Sequence, residues 1–208
     1  MTEMNVDRDS PRDALVARTR SLIDAVALTA VSGESMAVAE SGLLAVEEVL
    51  RAARLRAVPR TPLEQAVGAS DYAWQWANPG YPEVAMTFDG SEVIADFAGG
   101  LGAVHEGPPG ILHGGVAVML LDAVISSLVQ FHGIPALTAS LATEFRAPTP
   151  IDTPFFVRAQ LGHVTARRVF AAGVIVVSGI EAVRAEGSFA PVDSWIGLNP
   201  ATTNGHQS

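Results

Sequence analysis

Residues 116–131 constrain this chain more than any other stretch. Their only polar side chains are Asp122, Ser126, Ser127 and Gln130. A helix apolar nearly all round has no solvent face, so it must be buried on most sides. The stretch is shorter than the roughly 20 residues that span a bilayer, which leaves burial inside protein.

The flanking sequence supplies what can bury it. Upstream, residues 84–88 and 93–97 read as strands around the turn Asp89-Gly90-Ser91, a hairpin. Downstream come four more strand-like runs, at 137–146, 155–164, 169–178 and 182–191. They are broken at Pro148 and Pro150, at Thr165-Ala166-Arg167-Arg168 and at Gly179. Two strands, one buried helix and four strands with short connections describe an α+β fold: an antiparallel sheet wrapped around a long central helix.

An N-terminal helical extension precedes this core. Ser10-Pro11-Arg12-Asp13 reads as a helix start, with serine as cap and proline at the first helical position. Leu15, Val16, Leu22, Ile23, Val26 and Ala27 then repeat with helical spacing and predict one buried stripe. Ser32-Gly33 interrupts the pattern, and a second helix is expected over 35–55. Its acids precede its arginines, as the helix dipole prefers. Arg51, Arg54 and Arg56 read as a solvated helix end. The expected organisation is a helical arm over 1–60, a linker over 61–80 containing Trp74 and Trp76, the core domain over 81–200, and a polar, disordered tail over 201–208.

Composition removes several kinds of chemistry. There is no cysteine, hence no thiol nucleophile or thiolate metal site. All 13 basic residues are arginine, which excludes a Schiff-base lysine. A net charge of −9 argues against nucleic-acid or anionic-membrane partners. No apolar leader follows the polar start, so a soluble cytoplasmic protein is expected. His105, His113, His132, His163 and His206 lack ligand spacing, and no metal site is expected.

Asp122, Ser126 and Gln130 fall on one face of the central helix. A carboxylate there is costly unless it is hydrogen-bonded or reaches a wet cleft. Both a structural carboxylate and a catalytic acid or base fit that position. The preceding loop, Glu106-Gly107-Pro108-Pro109-Gly110-Ile111-Leu112-His113-Gly114-Gly115, delivers a histidine and two glycines to the helix start. The first helix amides have no internal partner and carry partial positive charge, so such a loop can form a backbone oxyanion hole. It also fits a tight turn that needs glycine.

These motifs resemble the hotdog-fold acyl-CoA thioesterases. The resembling features are the loop ending in His113-Gly114-Gly115, the aspartate at 122 and Leu137-Thr138-Ala139-Ser140-Leu141. Glu144-Phe145-Arg146-Ala147-Pro148-Thr149-Pro150 and Leu198-Asn199-Pro200 also fit. The similarity is to the phenylacetate-pathway type and, within it, to the branch of thioesterase superfamily members four and five. It implies hydrolysis of acyl-CoA to free acid and CoA, with no cofactor, since CoA belongs to the substrate. Asp122 then matches the general base or nucleophile, and Thr138 the hydroxyl that orients it or the water. His113 matches the motif histidine, and Gly114 with Gly115 the amides that polarise the thioester carbonyl. The resemblance further implies a homodimer or homotetramer with each site between two subunits.

CoA carries phosphates, yet no arginine lies between Thr61 and Phe145. Arg146, Arg158, Arg167, Arg168, Arg184 or the arm must supply those contacts. Arg167-Arg168 resembles the family's position for the nucleotide end, and solvated turn residues fit equally. Two other readings use the same fold: an enoyl-CoA hydratase or dehydratase, and a non-catalytic acyl-CoA-binding or scaffold protein.

Overall fold

The computed structural model describes residues 2–3, 11–53, 78–82 and 84–191. Ser10, linker residues 61–77 with Trp74 and Trp76, Leu198-Asn199-Pro200 and the tail 201–208 lie outside the described residues.

The six expected strands form one antiparallel sheet, and a seventh, two-residue strand joins its edge. In chain order the elements are β1 (Thr2–Glu3), α1 (Pro11–Ala27), α2 (Gly33–Arg51), β2 (Ala85–Asp89), β3 (Glu92–Phe97), α3 (Gly114–Phe131), β4 (Ala136–Phe145), β5 (Phe155–Val164), β6 (Val169–Val177) and β7 (Ile180–Pro191). The spatial order is β1-β2-β3-β5-β6-β7-β4. Among the described residues β4 therefore ends the sheet and pairs only with β7. The β2–β3 turn holds Gly90 at φ 55°, a left-handed conformation that suits glycine.

The sheet packs its inner face on α3. Leu120, Leu121, Val124, Ile125, Leu128 and Val129 are fully buried there, against Phe97, Val157, Ile175 and Phe189 of the strands. Helix and sheet approach closely at Gly173 of β6, where an added Cβ would lie 3.0 Å from Ile125 Cγ1. Phe88 of β2 stacks on Phe131 at 4.3 Å between ring centroids, closing the far end of the core. α3 starts at Gly114, ahead of the expected residue 116, and runs for 18 residues. By length and composition it is thus long and apolar enough to cross a membrane, contrary to the sequence expectation. In the fold 61% of it is buried inside the protein.

The arm departs from the pattern read in its sequence. In α1 only Val16 is buried, while Leu15, Leu22 and Val26 are exposed. α2 buries no residue. Periodicity reports which residues share a face, not whether this chain covers that face. Ser32 caps α2 by accepting from the Ser35 amide at 3.4 Å.

Because α3 is the core's centre, truncation there should be expensive. Leu128→Ala is expected to cost about 2–5 kcal/mol, as large-to-small changes at filled sites do. Denaturant titration measures it, and a loss below about 1 kcal/mol would contradict the packing described.

Candidate active site

The loop before α3 is held by its own backbone and one carboxylate. The Gly107 amide donates to Ile111 O at 2.9 Å, and the Ile111 amide to Pro108 O at 2.9 Å. Glu106 accepts from the Gly110 amide, which ties the Gly-Pro-Pro-Gly turn. An added Cβ at Gly107 would lie 2.9 Å from His113 Cα, so only glycine lets these strands of the loop pass. The loop is anchored outside itself as well. The His113 amide donates to His105 O and the Leu112 amide to Thr149 O, each at 2.9 Å.

His113 is the N-cap of α3. Its backbone is extended, and its ring Nδ1 accepts from the Gly115 amide at 3.0 Å. With Nδ1 as acceptor, the neutral ring carries its proton on Nε2. The two glycines therefore play different parts. The Gly115 amide is engaged by the ring, and the Val116 and Ala117 amides donate to His113 O. The Gly114 amide, at the positive end of the helix, is the first in line for an outside acceptor. The Phe145 ring lines this spot, 3.4 Å from where a Gly114 Cβ would stand.

Asp122 lies farther along α3 and is half-buried. Thr138 Oγ1, from the edge strand β4, donates to its Oδ1 at 2.8 Å. Ser126 Oγ is 3.5 Å from the same threonine oxygen. The expected face thus exists, and Thr138 fixes the carboxylate from across the helix–strand gap. Gln130, on that face, is buried with Oε1 unpartnered among the described residues. Asp122 and Thr138 come together. His113, Gly114 and Gly115 form a second group, roughly 12 Å along the helix from Asp122 at about 1.5 Å of rise per residue.

Sequence reasoning missed Tyr81. It sits just before β2, at the sheet edge opposite β4. Burial first, and Asp122 second, hold its phenol above the usual range, so hydroxyl and carboxylate lie within electrostatic reach. A lone tyrosine in an irregular stretch carried no signal of this.

The candidate phosphate contacts divide. Arg146 is already paired: it donates to Glu144 at 2.7 and 3.0 Å and to Glu181 at 3.0 Å. Arg146 holds the exposed Glu144 carboxyl below its ordinary range through their hydrogen bond. Arg167 and Arg168 lie on the exposed β5–β6 turn, which Thr165 organises by accepting from both their amides at 3.3 and 2.9 Å. Arg168 also donates to Arg167 O at 3.0 Å. Among the described residues, no three His, Asp or Glu side chains are grouped so as to hold a metal.

Comparisons with known proteins point one way. Residues 109–182 match the Thioesterase superfamily model. Acyl-coenzyme A thioesterase THEM4 of Rattus norvegicus is 30% identical over 90 residues, which is 42% of this chain and 38% of that protein. THEM4 of Mus musculus matches with the same figures. The chain thus spans well under half the length of the curated relatives it matches. Among solved structures, thioesterase superfamily protein RHA08564 superposes with a TM-score of 0.77 and 25% identity. That likeness covers 91% of this chain and 100% of that one, so it reaches beyond the core into the arm. The E. coli PaaI protein of the phenylacetic acid degradation operon shares the fold, at a TM-score of 0.50 and 15% identity over 58% of this chain and 87% of that one.

The capping bond gives a test of the loop. His113→Ala should cost about 1 kcal/mol while His113→Asn, an equally good cap, should cost little. Equal stability of the two variants in thermal unfolding would mean the ring does not cap the helix. By sheet topology the chain carries a hotdog fold, and within it residues 109–182 are similar to the Thioesterase superfamily.

Proposed function

We propose that the protein hydrolyses acyl-CoA thioesters to the free acid and CoA. The observation that carries this is the half-buried Asp122 carboxylate, fixed by Thr138 at 2.8 Å, on the helix whose N-terminus presents an amide at Gly114. A thioester has a good leaving group. Its hydrolysis needs an activated water, or a carboxylate nucleophile, together with a polarised carbonyl.

Each residue has a part. Asp122 takes the proton of an attacking water or attacks directly. Thr138 occupies one carboxylate oxygen and so orients the other. The Gly114 amide and the positive end of α3 receive the carbonyl oxygen as charge develops on it. His113 holds the Gly115 amide and leaves Nε2–H facing outward as a second donor.

One chain cannot place both groups on one thioester. A reacting carbonyl sits about 3 Å from both base and oxyanion donors, whereas Asp122 and Gly114 are roughly 12 Å apart along one helix. A second copy that brings its own loop against Asp122 resolves this, and a homodimer, alone or as half of a tetramer, is part of the proposal. The outer edge of β4, with Leu137 and Phe145 exposed, is the face that supports it. Arg167 and Arg168 are the better candidates for the CoA phosphates, since Arg146 is neutralised by two glutamates.

The test is CoA release from short, long and aromatic acyl-CoAs by the wild type and by Asp122→Asn. Wild-type release should fall about 10²-fold or more in a variant with unchanged circular dichroism and melting. Equal rates in both proteins, or no release from any substrate, would overturn the reading.

A further inference from the structure

The helix face that carries Asp122 holds a hydroxyl to which the catalytic reading gives no part. Ser126 lies one turn after Asp122 and is only 9% exposed. Its neighbour Ser127 does what a buried helical serine ordinarily does: its Oγ donates back to Ala123 O at 2.8 Å. Among the described residues Ser126 makes no such bond. Its hydrogen-bonding neighbour there is Thr138 Oγ1, at 3.5 Å.

The supply of protons fixes the direction of that contact. A threonine hydroxyl has one proton to give, and lone pairs to accept with. Thr138 gives its proton to Asp122 Oδ1 at 2.8 Å. The contact between the two hydroxyls therefore runs from Ser126 to Thr138, and the bonds form a chain that ends on the carboxylate. A donor at the threonine lone pair holds that rotor with its proton toward Asp122. By polarising the O–H it also strengthens the bond passed on.

The strand is shaped to bring Thr138 to this place. β4 pairs with β7 as Thr138↔Phe189 and then Ser140↔Ser188, which leaves Ala139 as an extra residue, a β-bulge. Side chains alternate faces along a strand. Beyond the bulge the less exposed positions of β4 are Leu141 and Thr143, and before it they are Ala136 and Thr138. Unbroken alternation back from Leu141 would turn Ala139 toward the helix and Thr138 away from it. The bulge reverses this. Ser140 and Ser188, with hydroxyls 2.8 Å apart across the two strands, pin the register beside it.

Resting on the thioesterase reading above, we propose that Ser126 is a positioning residue of the site. It acts through Thr138, keeping that hydroxyl on one carboxylate oxygen of Asp122 so that the other faces the reacting water or carbonyl. At 3.5 Å the contact is at the outer limit of a hydrogen bond, so its share is modest.

The experiment measures kcat and KM for CoA release, on the acyl-CoA that the wild type hydrolyses fastest, in Ser126→Ala, Thr138→Val and the double variant. Alanine suits a helix interior and valine keeps the branched shape of threonine, so both changes spare the fold. Ser126→Ala should lower kcat about five-fold with KM unchanged, the scale of one ordinary hydrogen bond. Thr138→Val should lower it further. The double variant should be no slower than Thr138→Val alone, because the serine acts only through that hydroxyl. A serine with a merely structural role would slow both backgrounds alike. An unchanged kcat in Ser126→Ala, an effect confined to KM, or an equal loss in both backgrounds would overturn this proposal and leave the thioesterase reading standing. No CoA release from any acyl-CoA by the wild type would overturn both.

Discussion

The burial of α3 governs the rest of the molecule. A helix with apolar residues on nearly every side forces the sheet to curl around it, and a curled sheet that does not close leaves two edges. Among the described residues those edges are β4 on one side and, on the other, β2 with the two-residue β1 paired to part of it. Asp122 is half-buried on α3, with Thr138 reaching it from β4 and Tyr81, ahead of β2, within electrostatic reach. A carboxylate in an otherwise apolar helix is tolerable here because an edge hydroxyl satisfies it and its partial exposure keeps it near water.

The same geometry separates the two halves of the proposed chemistry. The helix N-terminus offers amide protons and partial positive charge, and its ring cap leaves the first amide for an outside acceptor. Asp122 stands more than two turns away. In a single chain these are a base without an oxyanion hole and an oxyanion hole without a base. In the proposed dimer, pairing of two copies across an exposed edge would turn the separation into two complete sites, each made from both chains.

Much of this was legible in the sequence, for a physical reason. Strand period and an all-apolar helix are local signals, and the helix, the hairpin and the four later strands stand where those signals put them, to within a few residues. The arm was less legible: Leu15, Leu22 and Val26 repeat like a buried stripe, yet they are exposed, and Arg20 ties α1 to the carbonyls of Tyr81 and Asn78. Nor does sequence spacing show that His113 spends its Nδ1 on Gly115, which gives Gly114 and Gly115 unlike parts. The bond from Thr138 to Asp122 was expected from resemblance alone. Tyr81 gave no local signal, because its meaning depends on contacts across the fold.

The most direct test of a site shared between chains is complementation. Gly114→Pro removes the amide but suits the first helical position, and the extended backbone of His113, at ψ 129°, tolerates a following proline. Gly114→Pro and Asp122→Asn should each abolish CoA release. Co-expressed, they should form mixed dimers in which one site has both an intact base and an intact loop, and recover about a quarter of wild-type activity under random pairing. Recovery of that order is the predicted result. No recovery from mixed dimers that demonstrably form would place base and oxyanion hole in one chain and contradict the account.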